Sequence, residues 1–420
     1  MQRTVFWSIS LFINLFGLTS FVWGNQEPSS ELRVIDLHKA YRLAAARSET
    51  IQIQEEVINA QSEVLWQSKA VILPELSAGG SFFKRESIVD QKTLELSLVQ
   101  PLFQGLGEIY GPKIQSAELE ARQLELRQTK EDLYFEVAKA YYELLSRQKE
   151  KQHILNQLET INQRIKELEK RARIGRSRKS EVLSSQSQKA LLEVELSQNE
   201  IELIESEQKF SLLIGASEFE IQSDEKWNPP RLISWEEVEK SIGNKTNLKV
   251  LSERLRKSDY EADLAVRGHL PTAQFETRYY FLRTGPFFNN SNWDVAVTVS
   301  VPLFSGGTAQ SKIRQAAAQR KQAELALVRA RRQEWSETKA LYDQAKVTLK
   351  LLNSFQKAVE LSDRNYQTQQ KEYRLGLVTN LEVFEALNTS LETKRKRDVA
   401  FFQLKTAIAQ LKVGLGKVDL

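Results

Sequence analysis

The feature that most constrains this chain is where its prolines are missing. The nine prolines stand at positions 28, 74, 101, 112, 229, 230, 271, 286 and 302, so residues 113–228 and 303–420, runs of 116 and 118 residues, contain none. A proline inside a helix costs about 3 kcal/mol, and two such runs without one permit very long helices. The patterning inside them agrees. Leu155, Leu158, Ile161, Ile165 and Leu168 step by three or four, with Gln157, Arg164, Lys166, Glu167 and Lys170 between them. Leu341, Ala345, Leu349, Leu352, Phe355 and Val359 repeat the step in the second run. Stripes this narrow, flanked by charge, suit coiled-coil packing better than a globular core.

Each run is punctuated once near its middle, at Arg173-Ile174-Gly175-Arg176-Ser177 and at Arg374-Leu375-Gly376-Leu377-Val378. A glycine there can take the left-handed conformation that ends a helix. An acid follows six positions on, Glu181 and Glu382, where the positive end of the next helix dipole favours it. Each run therefore predicts an antiparallel helical hairpin. The first long arm, Pro112 to Gly175, would measure roughly 90 Å at about 1.5 Å per residue.

The proline-rich segments carry a different period. Leucines alternate with mostly polar residues over Thr93–Val99, valines take every second place over Asp294–Val301, and Gln274–Phe281 alternates for most of its length. Leu76–Phe83, containing Gly79-Gly80, is a weaker fourth strand. Strands of about ten residues can cross a bilayer when tilted. Gln274, Glu276, Arg278, Glu95 and Ser97 would then face a wet lumen, and Phe275, Tyr279, Leu94, Leu96, Leu98, Val295, Val297 and Val299 would face lipid.

These elements are written twice. Leu73-Pro74 recurs at Leu270-Pro271, an offset of 197, while Pro101-Leu102-Phe103 recurs at Pro302-Leu303-Phe304 and Gly175 at Gly376, offsets of 201. A net insertion of four residues near Gly285–Asn290 accounts for the change. Helix, strand, strand, long helix, turn and helix thus recur, dividing the chain into 25–226 and 227–420 at Trp227-Asn228-Pro229-Pro230. Residues 1–24 read as a signal peptide: Arg3, an uncharged apolar stretch from Val5 to Val22, and small or modest residues at Val22-Trp23-Gly24. An uncleaved anchor is the other reading of that segment.

Composition removes most enzyme chemistry. With no cysteine and three scattered histidines (His38, His153, His269), thiolate sites, histidine metal cages and a Ser-His-Asp relay are hard to assemble. A formal charge of +4 is too small to argue for nucleic acid. No phosphate loop follows a strand and no nucleophile has a base beside it, so no catalytic, cofactor or metal site is expected. Four amphipathic strands cannot close a barrel by themselves, since about eight is the smallest closed number. Further copies must complete the wall, and two, three or four would serve; the alternative is a pair of soluble hairpins packed on helices.

The repeat, the Leu-Pro entering each first strand and the Pro-Leu-Phe before a glycine (Phe103-Gln104-Gly105, Phe304-Ser305-Gly306) resemble the TolC-like outer membrane efflux protein family. So does the tip signature, Tyr373-Arg374-Leu375-Gly376 through Thr379 to Glu382-Val383 and Arg173-Ile174-Gly175 through Ser180-Glu181-Val182. The resemblance implies a mainly α fold with β: a homotrimer with four strands per chain forming a 12-stranded outer-membrane barrel, continued by a long α-helical coiled-coil tunnel in the periplasm. It implies a passive export duct of a tripartite efflux or type I secretion system, seated in outer-membrane lipid. The partners would be a periplasmic adaptor (membrane fusion) protein and an inner-membrane RND or ABC transporter. A secreted periplasmic coiled-coil scaffold without a pore is the competing function. Carried over, Gly175, Arg176, Arg178, Ser180, Glu181, Gly376, Leu377 and Thr379 fall at adaptor-docking tips, and Glu382 and Glu385 at the tunnel entrance, although both acids also suit an ordinary first helical turn. The basic run Arg171, Arg173, Arg176, Arg178 and Lys179 departs from the family pattern. It either selects an acidic partner, bridges to the Glu382/Glu385 side of a neighbouring hairpin, or is a solvated turn.

Overall fold

The computed structural model describes residues 34–85, 88–221, 231–284 and 291–416. The signal segment, the Trp227–Pro230 join and Phe287-Phe288 lie outside the described residues. Fourteen elements follow in order: β1 (Val34–Ile35), α1 (Leu37–Arg47), α2 (Glu49–Ala70), β2 (Glu75–Arg85), β3 (Ile88–Gln104), α3 (Gly107–Arg173), α4 (Lys179–Ile214), β4 (Glu220–Ile221), α5 (Trp235–Ile242), α6 (Thr246–Val266), β5 (Thr272–Arg283), β6 (Trp293–Ser300), α7 (Thr308–Leu375) and α8 (Asn380–Gly414). The order α1-α2-β2-β3-α3-α4 is repeated by α5-α6-β5-β6-α7-α8. Two helices, not one, precede each strand pair. In the first copy Ser48 makes the break, ending α1 and capping α2 through its hydroxyl, which accepts from the Ile51 N–H at 3.3 Å.

The long arms α3 and α7 have 67 and 68 residues, each on the order of 100 Å long. Helix α3 begins ahead of Pro112, which stands inside it as the sixth residue. A proline there forfeits one backbone bond close to the helix start, a small loss beside the sixty residues that continue the ladder. The buried stripe of the first arm also differs by one position from the expected one. Ile154, Gln157, Ile161, Ile165 and Leu168 are buried, whereas Leu155 is 46% exposed. The step 154, 158, 161, 165, 168 keeps a heptad seam turned toward its partner helix, and Leu155 falls one row round the cylinder.

All four long strands join one antiparallel sheet in the order β2-β3-β5-β6. Its register sorts the side chains cleanly. On one face Leu76 pairs Leu98, Leu96 pairs Tyr279, Phe275 pairs Val297, and Tyr279 pairs Trp293. On the other Ser77 pairs Ser97, Ser97 pairs Arg278, and Arg278 pairs Asp294. The polar face is internally bonded: Arg278 to Glu276 at 2.5 Å, the Tyr280 hydroxyl donating to Asp294 at 3.0 Å, and Ser81 to Thr93 at 2.7 Å. The apolar face is open, with Val297 63% exposed. Strand β3 runs through Pro101 to Gln104, beyond the expected end, with a register shift between Pro101 and Phe103 that accommodates the missing donor.

The core lies midway along the bundle. Tyr41 and Ala44 of α1 meet Tyr134, Val137, Tyr141 and Leu144 of α3, Phe210 of α4, Leu352 of α7, and Phe401 and Leu404 of α8. The parallel pairing of β1 with β4 closes this level. Arg395 of α8 joins the two hairpins, reaching Glu150 of α3 at 2.5 Å and also Glu195 of α4. No helix among the described residues is long and apolar enough to cross a membrane. Leu404 is fully buried in this core, so Leu404→Ala should cost about 2–5 kcal/mol, and Leu404→Met under about 1.5 kcal/mol. Thermal or denaturant unfolding of the purified protein measures the difference.

Candidate docking tips

Both hairpins turn in the same way. Gly175 (φ +72°) and Gly376 (φ +74°) adopt left-handed backbone with open space where a Cβ would stand. The Arg176 N–H donates back to the Arg171 carbonyl at 2.8 Å and the Leu377 N–H to the Glu372 carbonyl at 3.0 Å, the bond that wraps a helix end around its glycine. The entries to the returning helices differ. Thr379 caps α8 in a reciprocal box: the Glu382 N–H donates to the Thr379 hydroxyl oxygen at 3.4 Å, and the Glu382 carboxylate accepts from the Thr379 N–H at 2.6 Å. Arg178, at the same point before α4, supplies no side-chain cap, and Ser177 instead bonds the Glu181 carboxylate.

The tips pack on one another through contacts that join the two hairpins. Tyr373 is buried with Leu168 and Val383, against Val182, Tyr366 and Val378. Two guanidiniums lie over its ring, Arg164 at 3.9 Å and Arg171 at 4.8 Å from the centroid. Arg164 also donates to the Asn380 side-chain oxygen at 2.8 Å, and both arginines pair with Glu167, at 3.1 and 2.9 Å. Two hundred residues separate these partners, so no local pattern announces them; Arg164 looks like one of many charges on the solvated side of a stripe.

Arg171 is therefore committed to the inter-hairpin contact. Arg173, Arg176, Arg178 and Lys179 stay exposed, and none of them forms an ion pair among the described residues. The chain itself thus brings no basic first-tip residue to Glu382 or Glu385. Beside the arginines stand exposed apolar side chains, Ile174, Leu183, Leu375, Leu377 and Leu381. Gly175, Arg176, Arg178, Ser180, Gly376, Leu377 and Thr379 are exposed and Glu181 is half-buried, all at this end of the bundle. Glu382 and Glu385 are exposed on the first turns of α8, three positions apart and so on one helical face. The Thr379 backbone and hydroxyl hold the Glu382 carboxyl below its ordinary value. Tyr141 and Tyr142 are core residues, and His269 is exposed in the turn before β5. This end of the bundle is thus basic on the first hairpin, apolar at its crests, and capped by Thr379 on the second.

Comparisons with known proteins agree with the overall fold. Residues 238–417 match the family model described as outer membrane efflux protein. The chain is 22% identical over 387 residues to the outer membrane protein TolC of Vibrio cholerae, covering 86% of each. Its fold is similar to that of the outer membrane protein VceC of Vibrio cholerae, with a TM-score of 0.77 at 17% identity, over 90% of this chain and 96% of that one. It is similar as well to the Neisseria gonorrhoeae MtrE outer membrane channel in its open state, with a TM-score of 0.78 at 14% identity, over 90% and 88% of the two chains.

A folded-state carboxyl held low contributes stability that is present above the unfolded value and lost as pH falls through the folded one. Glu382→Gln should therefore lower the melting temperature at pH 7, and the gap to the parent should close under acid. A gap that persists unchanged at low pH would show that the cap does not act through the charge.

Proposed function

We propose that the chain is one of the TolC-like outer membrane efflux proteins and works as a passive export duct of a tripartite efflux or type I secretion system. Three copies would pool four strands each into a 12-stranded barrel in the outer membrane, and six hairpins into a tunnel through the periplasm. The observation that carries this reading is the sheet: one face apolar and exposed, the other polar, with β2 and β6 each paired on one side only. In lipid such edges leave backbone groups unpaired at several kcal/mol each, and joining β6 of one copy to β2 of the next removes them. Leu191, Val194, Ile201, Ile204 and Leu212 form a second unpartnered seam, on α4, and their heptad-like spacing suits a helix of a neighbouring copy. A secreted scaffold without a pore gives this sheet no purpose.

At the far end, Gly175, Arg176, Arg178, Ser180, Glu181, Gly376, Leu377 and Thr379 would receive a periplasmic adaptor that links the duct to an inner-membrane RND or ABC transporter. The free arginines favour an adaptor with acidic tips. Threefold symmetry would repeat Glu382 and Glu385 as rings of negative charge that prefer cations.

The deciding experiment takes the detergent-extracted protein into a planar bilayer. A trimer that raises conductance, with cation preference reduced by Glu382→Gln with Glu385→Gln, is the expected outcome; a monomer released by salt washes that leaves the bilayer silent overturns the reading. Separately, Arg176→Glu with Arg178→Glu should weaken adaptor crosslinking and export severalfold at normal protein level, and unchanged export would remove the arginines from docking.

A further inference from the structure

The two hairpins of the sheet are copies of each other to the residue. Glu75 pairs Val99 where Thr272 pairs Ser300, Ser77 pairs Ser97 where Gln274 pairs Thr298, and Phe82 pairs Lys92 where Tyr279 pairs Trp293. Over this span each β5 position stands 197 residues after its counterpart in β2, and each β6 position 201 after its counterpart in β3. The joint between the hairpins, β3 with β5, has a register of its own. Ser97 stands opposite Arg278, Leu96 opposite Tyr279, Pro101 opposite Gln274 and Phe103 opposite Ala273.

One stretch breaks the likeness. Strand β3 continues through Pro101, Leu102 and Phe103 to Gln104, whereas β6 stops at Ser300 and the same Pro-Leu-Phe, at 302–304, is not strand. The exits that follow are alike: Gly105 and Leu106 have φ of +61° and +68°, Gly306 and Gly307 of +61° and +82°. Neither the sequence nor the turn separates the two copies; the neighbour does. Residues 101–104 lie along the start of β5, while Leu303 and Phe304 are 93% and 89% exposed. A Cβ on Gly105 would stand 3.6 Å from the Leu270 side chain and 3.7 Å from the Pro271 carbonyl oxygen, whereas on Gly306 it would meet open space. What Gly306 lacks is a Leu-Pro. The counterpart of Leu270-Pro271 is Leu73-Pro74, which leads into β2 with Leu73 exposed.

We propose that β6 of one copy pairs with β2 of the next in the register that β3 keeps with β5: Thr298 opposite Ser81, Val297 opposite Phe82, Pro302 opposite Ser77 and Phe304 opposite Leu76. Residues 301–305 become strand only in that assembly, and Gly306 closes on Leu73-Pro74 of the neighbouring copy. The inference rests on the trimeric reading above and gives its seam a geometry. Three copies of a twofold repeat make six hairpins, and one joint repeated six times closes a barrel with even stagger. The alternation agrees, since Val297 and Phe82 lie on the apolar face and Thr298 and Ser81 on the polar one. A slip of one residue would turn every side chain to the wrong face. A slip of two keeps the faces but carries Gly306 roughly 7 Å away from the Leu-Pro. Pro302, like Pro101, then sits beside a register shift that accommodates its missing donor.

The chain has no cysteine, so introduced pairs report alone. Ser81→Cys with Thr298→Cys, and separately Phe82→Cys with Val297→Cys, are oxidised in the full-length protein in detergent. Neighbouring antiparallel pairs alternate between about 5.5 and 4.5 Å in Cα separation, so the two variants sample both geometries within disulfide range. One or both should run as a covalent trimer on non-reducing gels. The link should form at least tenfold faster than when Thr298→Cys is set against the slipped partners Gly79→Cys or Phe83→Cys. Amides of residues 303–305 should exchange as slowly in the trimer as those of 102–104. Positions 81, 82, 297 and 298 are exposed in the single chain, so the variants should fold, and melting of the reduced proteins checks it. Light scattering of the same samples separates the failures. A trimer in which a slipped pair links faster, in which neither pair links, or in which residues 303–305 exchange freely overturns the register and leaves the duct reading standing. Protein that never trimerises overturns both.

Discussion

A strand needs a partner on each side for its backbone N–H and C=O groups, and the outer strands of this sheet have one each. Most of the molecule's design follows from that incompleteness. Apolar side chains on a soluble chain would normally be turned inward, yet Leu76, Leu94, Val295 and Val297 point away from any core while Ser77, Ser97, Arg278 and Asp294 share the other face. A soluble sandwich would bury the first set and wet the second. This sheet leaves both faces open, and an environment that is lipid on one side and aqueous on the other resolves both at once.

The helical part meets a related difficulty differently. Arms on the order of 100 Å long cannot be stabilised by one central core. The structure concentrates large side chains at one level, around Tyr141, Phe210 and Leu404, and lets narrow seams and charge clamps such as Arg395 with Glu150 carry the cohesion outward. Toward the tips the seams thin to small clusters, Ile161 with Leu192 and Leu168 with Tyr373. The stacking of Arg164 and Arg171 on Tyr373 replaces apolar packing there, a contact that tolerates water and so suits an end meant to be exposed.

What could be read from the sequence was whatever has a short period. Long helices, alternating strands, the paired tip glycines and the twofold repeat all follow from spacings within one element, and they stand in the structure. What escaped depended on partners far along the chain. Leu155 and Ile154 are equivalent as apolar residues until α3 meets its partner, and only then does one become buried and the other exposed. Pro112 marks a helix boundary by rule but falls inside one here, because the chain turns earlier, at Gln104 to Gly107. Arg164 was invisible for the same reason, a charge among charges until α8 closes over it.

Glu382 shows how a local role and an assembled role can coincide. Within the chain its Oε2 accepts both the Thr379 N–H at 2.6 Å and the Thr379 hydroxyl at 2.8 Å, fixing the carboxylate in place at the start of α8. In the proposed trimer three such groups would face one another, and like charges brought together favour protonation. The cap acts in the opposite sense, since bonds donated to the charged form hold the carboxyl down. A carboxylate used only for capping would need no such surroundings, and one used only in a ring would titrate under its neighbours' influence. Joined in one residue, the cap keeps each member charged and immobile, so that a ring of them would present a constant field to whatever enters.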